Sequence, residues 1–116
     1  SMEFIPAQNI ILCGDLRGNV NYFDIAQNKI TQVFKAHEGV ITCLKALKDK
    51  DWFVTCGDDK MIKIWKATEN KLVDETVGHE SKISSLCLLG SFIFLTNAMD
   101  NKLQFWSIEE LLKSDI

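Results

Sequence analysis

The chain has 116 residues, 47 % of them apolar and 25 % charged, with a net charge of −3. That is the composition of an ordinary globular domain. The Lys and Arg residues are dispersed and form no basic stripe, which argues against duplex binding by these residues alone. The longest apolar stretch, Leu86 to Leu95, is broken by Gly90-Ser91 and is too short to span a bilayer, and the first residues carry no leader pattern.

In chain order the pattern predicts a stub and ten strands. They are Met2–Ile5 (the stub), Asn9–Gly14, Val20–Ile25, Ile30–Lys35, Val40–Leu47, Trp52–Gly57, Met61–Lys66, Lys71–Val77, Lys82–Leu89, Phe92–Asn97 and Lys102–Ser107. Ile62-Lys63-Ile64-Trp65 alternates, as a half-buried strand does, whereas Ile10-Ile11-Leu12-Cys13 and Phe92-Ile93-Phe94-Leu95 are short continuous apolar runs. Turn residues separate them at Gly14–Asn19, Gly57–Lys60 and Met99–Lys102. The tail from Ser107 carries a Ser-x-x-Glu pattern, which suits a helical turn or a loop into a further strand.

Cys13, Cys43, Cys56 and Cys87 each sit in a strand-like stretch, and no CxxC pair occurs. They are expected to be small buried hydrophobes in a reducing compartment, with no zinc site and no disulfide framework.

The chain nearly repeats itself. His37 recurs as His79, 42 residues on, and Phe53-Val54-Thr55 through Ile64-Trp65 recurs as Phe94-Leu95-Thr96 through Phe105-Trp106. A weaker upstream copy sets Leu12-Cys13 and Phe23 against Val54-Thr55 and Trp65. A period of this length means stacked units, none of which buries its apolar face alone.

Gly78-His79 before a strand, and Trp65 and Trp106 closing later ones, resemble the WD40 repeat family. Its signature is Gly-His near the start and Trp-Asp at the end of each unit of roughly 40–45 residues. The resemblance covers essentially the whole chain and implies an all-β fold, a partial WD40-type β-propeller of four-stranded antiparallel blades, one complete and two incomplete. The units would be 1–36, a degenerate partial blade; 37–78, a complete repeat; and 79–116, a repeat lacking its last strand. About 2.8 units are present, too few to close a ring of about 4–8 blades.

The resemblance also implies two structural tetrads: His37, Thr55, Asp59 and Trp65, and His79, Thr96, Asp100 and Trp106. An indole N–H, a hydroxyl and an imidazole are each costly to bury unpaired, but chained onto a carboxylate every donor meets an acceptor. A charge-relay role for the same residues is disfavoured, because the set occurs twice at the repeat period. His37→Ala or Asp59→Asn should therefore cost stability and no enzymatic step. The chain departs from the pattern: Lys66 and Ser107 follow the two Trp residues, and Ala36 stands before His37. In the first copy Cys13, Arg17 and Phe23 occupy tetrad positions, so that blade should be held more by apolar packing than by polar bonds.

The family's members mostly serve as rigid, non-catalytic platforms for peptides and proteins. Carried over by position, the partner-facing residues would be Leu16, Val40, Thr42, Asp58, Lys82, Ser84 and Met99. The sequence contains no nucleophile beside a base, no phosphate loop and no metal-ligand cluster, so no catalytic residue, cofactor or metal is called for. The implied function is a protein-interaction scaffold of a larger propeller, in the cytoplasm or nucleus. The alternatives are a self-assembling propeller module and a nucleic-acid-associated subunit. Interleaving of the middle blade's Lys residues with Asp49, Asp51, Asp58 and Asp59 disfavours the latter.

Overall fold

The computed structural model describes residues 1–47, 51–69, 71–89 and 93–107. The tail reading from Ser107 onward falls largely outside the described residues.

Three antiparallel meanders follow one another. The first sheet is β1 (Met2–Ile5), β2 (Ile10–Gly14), β3 (Asn19–Asp24) and β4 (Lys29–Lys35), paired in that order. The second is β5 (Ile41–Leu47), β6 (Trp52–Gly57), β7 (Met61–Lys66) and β8 (Lys71–Val77). The third pairs β9 (Ile83–Leu88), β10 (Ile93–Ala98) and β11 (Leu103–Ser107) in the order β11-β10-β9. The stub pairs with β2 over all four of its residues, from Met2 opposite Cys13 to Ile5 opposite Ile10. The first sheet therefore has four strands, its inner one four residues long against seven in β5. Pro6 starts a single 3₁₀ turn, Pro6–Gln8, that links the stub to β2. Its locked φ suits the first position of such a turn. Among the described residues no helix is long and apolar enough to cross a membrane.

Two apolar layers hold the sheets together. Between the first and second sheets lie Leu12, Val20, Tyr22, Leu44, Phe53 and Trp65. Between the second and third lie Val54, Cys56, Ile62, Ile64, Ile83 and Phe94. The second sheet is thus buried on both faces, which explains its continuous apolar runs. A sheet with a neighbour on one side only leaves its other apolar face in solvent. Met2, Phe4 and Ile30 are exposed on the first sheet, and Leu103 and Phe105 on the third.

That geometry corrects the expectation for the cysteines. Cys43 and Cys56 are buried, but Cys13 is half-buried and Cys87 is exposed. The latter two sit on the first and third sheets, on faces that no other sheet among the described residues covers. Burial pushes the Cys56 thiol well above its ordinary value, so it stays protonated and inert.

The same turn position is left-handed in all three sheets: Gly18 at φ 87°, Lys60 at 71° and Asn101 at 64°. Gly18 is required at its position twice over. Besides the positive φ, a Cβ there would collide with the His37 carbonyl, because the Gly18 carbonyl itself accepts from Ala36 N–H at 2.8 Å and His37 N–H at 3.1 Å. This close backbone approach binds the first turn to the entry of the second repeat.

Candidate functional site

Thr55 lies mid-strand in β6, Trp65 on β7 opposite Phe53, Asp59 in the β6–β7 turn and His37 on the segment leading into β5. Trp65 Nε1–H donates to Thr55 Oγ1 at 2.9 Å, and Thr55 Oγ1 lies 2.7 Å from His37 Nε2. On the other side of the ring, His37 Nδ1 lies 2.8 Å from Asp59 Oδ1 and 2.9 Å from Oδ2. One proton arrangement satisfies the whole chain. The indole donates to the hydroxyl, the hydroxyl to Nε2, and Nδ1–H to the carboxylate, so His37 is the neutral Nδ1-H tautomer. Asp59 also accepts from Met61 N–H at 3.1 Å and Glu38 N–H at 3.2 Å. The network ties the turn, two strands and the inter-sheet segment together.

Electrostatics agree with the neutral ring. Burial pushes the His37 imidazole below its ordinary value, outweighing the pull of the Asp59 carboxylate. Burial pushes Asp59 up, but hydrogen bonds from His37 Nδ1–H and from the Met61 and Glu38 amides outweigh it and leave the carboxyl below its ordinary value. Both shifts mean that the unfolded chain binds protons more readily than the folded one. Stability is therefore expected to fall as the pH drops below about 6.5, where unfolded His37 takes up a proton that the folded ring resists. A further loss is expected below about 4, as the carboxylate protonates in the unfolded chain first. Thermal unfolding midpoints recorded from pH 8 to 3 check this, and a midpoint that rises on acidification through that first window would contradict it.

The third sheet brings its four counterparts together less tightly. Trp106 Nε1–H donates to Thr96 Oγ1 at 2.8 Å, and His79 Nε2 lies 2.6 Å from the same hydroxyl. His79 Nδ1, however, is 3.9 Å from Asp100 Oδ1, beyond hydrogen-bond reach. Nδ1 and Asp100 Oδ2 are buried with no hydrogen-bond partner among the described residues. A cleft of about 250 Å³ opens beside them, lined by His79, Glu80, Asp100 and Lys102 among others. The carboxylate retains Lys102 N–H at 3.0 Å. The first sheet has no such set, and its turn is organised by Asp15, two residues before Arg17. Asp15 accepts from Arg17 N–H and Asn19 N–H, both at 2.9 Å. The Asn19 and Arg17 amides and the Asn21 side chain hold its carboxyl below the ordinary range despite some desolvation.

Sequence reasoning missed the polar ties from the first sheet to the second, among them these. Tyr22 O–H donates to Ala67 C=O at 2.9 Å, and Glu3 Oε1 accepts from Ala46 N–H at 3.0 Å. Tyr22 is buried against Phe34 and Phe53, ring centroids 6.1 and 6.4 Å away. A Tyr in place of an aliphatic residue at an inward strand position was the available signal, since a buried phenol needs a partner. The first sheet is thus joined to the second by apolar packing together with these bonds.

The seven candidate contact residues fall at one end of the sheets. Val40 and Lys82 immediately precede β5 and β9, and Leu16, Asp58 and Met99 lie in the turns β2–β3, β6–β7 and β10–β11. In their backbone bonds the second and third sheets match: Asp58 N–H donates to Val40 C=O at 3.0 Å and Met99 N–H to Lys82 C=O at 2.9 Å. Ile41 N–H to Asp15 C=O, 3.2 Å, joins the first turn to this row, and Lys82 Nζ reaches Asp58 Oδ2 at 3.6 Å. Leu16 and Met99 are 80 % and 71 % exposed. Thr42 and Ser84 differ from the rest. Their hydroxyls donate across the strand to Cys56 C=O at 3.2 Å and Asn97 C=O at 3.0 Å, at the bulges where β5 and β9 begin. Among the described residues no group of His, Cys, Asp and Glu side chains is arranged to hold a metal.

Residues 28–66 match the family described as WD domain, G-beta repeat. WD repeat-containing protein 3 of Mus musculus is 31 % identical over 62 residues, which cover 53 % of this chain and 7 % of that protein. Pre-mRNA-processing factor 19 of Oryza sativa is 28 % identical over 112 residues, 93 % of this chain and 21 % of that protein. The chain thus spans about a fifth or less of these curated relatives. Two solved structures, of U3-55K and of the WD40 repeats of RRP9, each align with a TM-score of 0.85 at 19 % identity, over 95 % of this chain and 34 % of theirs. At that identity the likeness is one of fold.

Proposed function

Starting from a chain that belongs to the WD40-repeat family and folds as part of a β-propeller, we propose that it is a non-catalytic protein-binding platform whose contact surface is the turn end of the three sheets. The observation that carries this reading is the row Leu16, Val40, Asp58, Lys82 and Met99. It is fixed by backbone bonds and ends in two exposed apolar tips flanking an ion pair. A rigid surface with apolar anchors and a central charge pair suits a peptide that carries its own apolar residues and one charge. Thr42 and Ser84 belong to the same end, but their hydroxyls hold the strand bulges, so they contribute shape more than hydrogen bonds.

Family members generally work without chemistry of their own, and no cofactor is needed for this role. In this reading the units divide at 1–36, 37–78 and 79–116, and the closed tetrad of the second sheet braces the turn that presents Asp58. The setting is cytoplasmic or nuclear, and the partners are a protein or peptide and the remaining blades of a larger propeller. A nucleic-acid-associated role is the second reading, favoured by a relative named as a pre-mRNA-processing factor. Direct contact with nucleic acid is disfavoured by the net charge of −3.

The test is selection of binding peptides from a displayed library against this chain, followed by affinity measurement. Leu16→Glu combined with Met99→Glu should weaken the selected peptides at least tenfold, about 1.4 kcal/mol, with near-ultraviolet circular dichroism unchanged. Affinity indifferent to that pair but reduced by changes elsewhere would sink the assignment.

A further inference from the structure

The third sheet's polar set leaves two buried atoms beside a cleft. His79 is 3 % exposed, yet its Nδ1 and the Oδ2 of Asp100 have no hydrogen-bond partner among the described residues. Buried polar atoms of that kind call for an occupant that can bond them. The cleft, about 250 Å³, has Val77, Gly78 and Glu80 on one wall and Lys102 and Gln104 on the other. Gln104 lies directly opposite Thr96, so the two side chains share a face of the sheet. Phe94 and Trp106, on that same face, pack against the second sheet. The cleft therefore lies between the second and third sheets, inside the chain. It opens at the turn end, where Asp100 follows Met99. The Glu80 and Lys102 side chains, 90 % and 60 % exposed and 4.0 Å apart, stand at its rim.

The proton positions fix what an occupant must do. Trp106 Nε1–H donates to Thr96 Oγ1, so the hydroxyl proton goes to His79 Nε2 and the ring proton sits on Nδ1. The cleft presents one donor, Nδ1–H, beside one carboxylate acceptor, Oδ2. A carboxylate could not donate, and would meet Asp100 and Glu80. An ammonium or guanidinium could not accept, and would meet Lys102. A single water takes up only about 30 Å³ of liquid volume, a small part of this space. A primary carboxamide accepts and donates at once, its C=O and NH₂ side by side.

We propose that this cleft is a subsite of the contact surface and takes the Asn or Gln carboxamide of a bound peptide. The carboxamide C=O accepts from His79 Nδ1–H, and its NH₂ donates to Asp100 Oδ2. The inference rests on the reading of the turn end as a peptide platform: a peptide anchored on Met99 passes the cleft mouth at the next residue.

The first arm of the test needs no peptide. The chain is titrated with acetamide, and in parallel with acetate and with methylammonium at constant pH, while nitrogen-15 NMR follows the His79 imidazole. Acetamide is expected to shift that signal saturably, and the two ions to leave it in place. Gln104→Tyr, a larger side chain at a half-buried position on the cleft wall, is expected to abolish the shift, with the Trp106 indole signal retained as the mark of an intact fold. No saturable shift with acetamide overturns the inference, whether the cleft is closed or holds a water that acetamide cannot displace. So do equal shifts from all three probes. The second arm uses the peptides selected on this chain. Each is expected to carry an Asn or Gln whose change to Asp or Glu weakens binding at least tenfold. Peptides that depend on Leu16 and Met99 but tolerate every such change overturn the subsite and leave the platform standing. Peptides that depend on the Asn or Gln but not on Leu16 and Met99 uphold the cleft and sink the contact row.

Discussion

Thr55→Val is expected to destabilise the protein by about 1–3 kcal/mol for each of the two groups it strands, Trp65 Nε1–H and His37 Nε2. The substitution keeps the β-branched shape, so no large cavity forms and the loss is read as hydrogen bonding alone. Thr55 is fully buried and Trp65 nearly so, and no water reaches either group to compensate. Thr96→Val in the third sheet breaks the same two bonds, from Trp106 and to His79. Its cost should be smaller, because Trp106 is only partly buried and the His79–Asp100 link is already open at 3.9 Å. Urea denaturation midpoints of the two variants make the comparison. Equal losses would mean that the closed network in the second sheet is worth no more than the open one. A Thr55→Val protein as stable as the original would remove the network from the account of stability altogether.

Phe53→Ala is the second large effect, with an expected cost of about 3–5 kcal/mol. Phe53 is fully buried between the first and second sheets. Its ring lies 6.4 Å from Trp65 at an interplanar angle of 17° and 6.4 Å from Tyr22 at 71°. Removing it leaves a void that neither rigid ring can fill, and both lose an aromatic partner. Against a total stability of roughly 5–15 kcal/mol for a small domain, such a loss would leave a substantial unfolded fraction under mild denaturant. Unfolding followed by tryptophan fluorescence checks it. A loss under about 1 kcal/mol would mean that the first sheet collapses onto the second without strain, contrary to close packing.

The strands were readable because their signals are local. Alternation in Ile62-Lys63-Ile64 and the turn residues after Gly57 place strand ends within a residue of where the structure has them, with β6, β7 and β8 falling on the same bounds. The cysteines were not fully readable. Cys43 and Cys87 both lie in short apolar strands, and only the presence or absence of a neighbouring sheet buries the one and exposes the other. Tyr22 was passed over for a related reason. Its phenol finds the Ala67 carbonyl 45 residues away, a partner that no local pattern announces.

The echo of Phe53–Trp65 in Phe94–Trp106 determined from sequence alone that the chain is a row of like units built of short strands, and the resemblance to the WD40 repeat family implied the antiparallel sheets and a polar set in each of two. Strands and repeats are legible because side-chain direction in a strand has period two and the echo keeps a nearly constant step, 42 residues at the His and 41 at the Thr, Asp and Trp positions. Only the tertiary structure decided which set closes. The Asp59 carboxylate comes within 2.8 Å of His37 in a sheet covered on both faces, whereas Asp100 stands 3.9 Å from His79 beside an open cleft. A hydrogen bond turns on about an ångström of separation, and that ångström is set by what packs against the sheet.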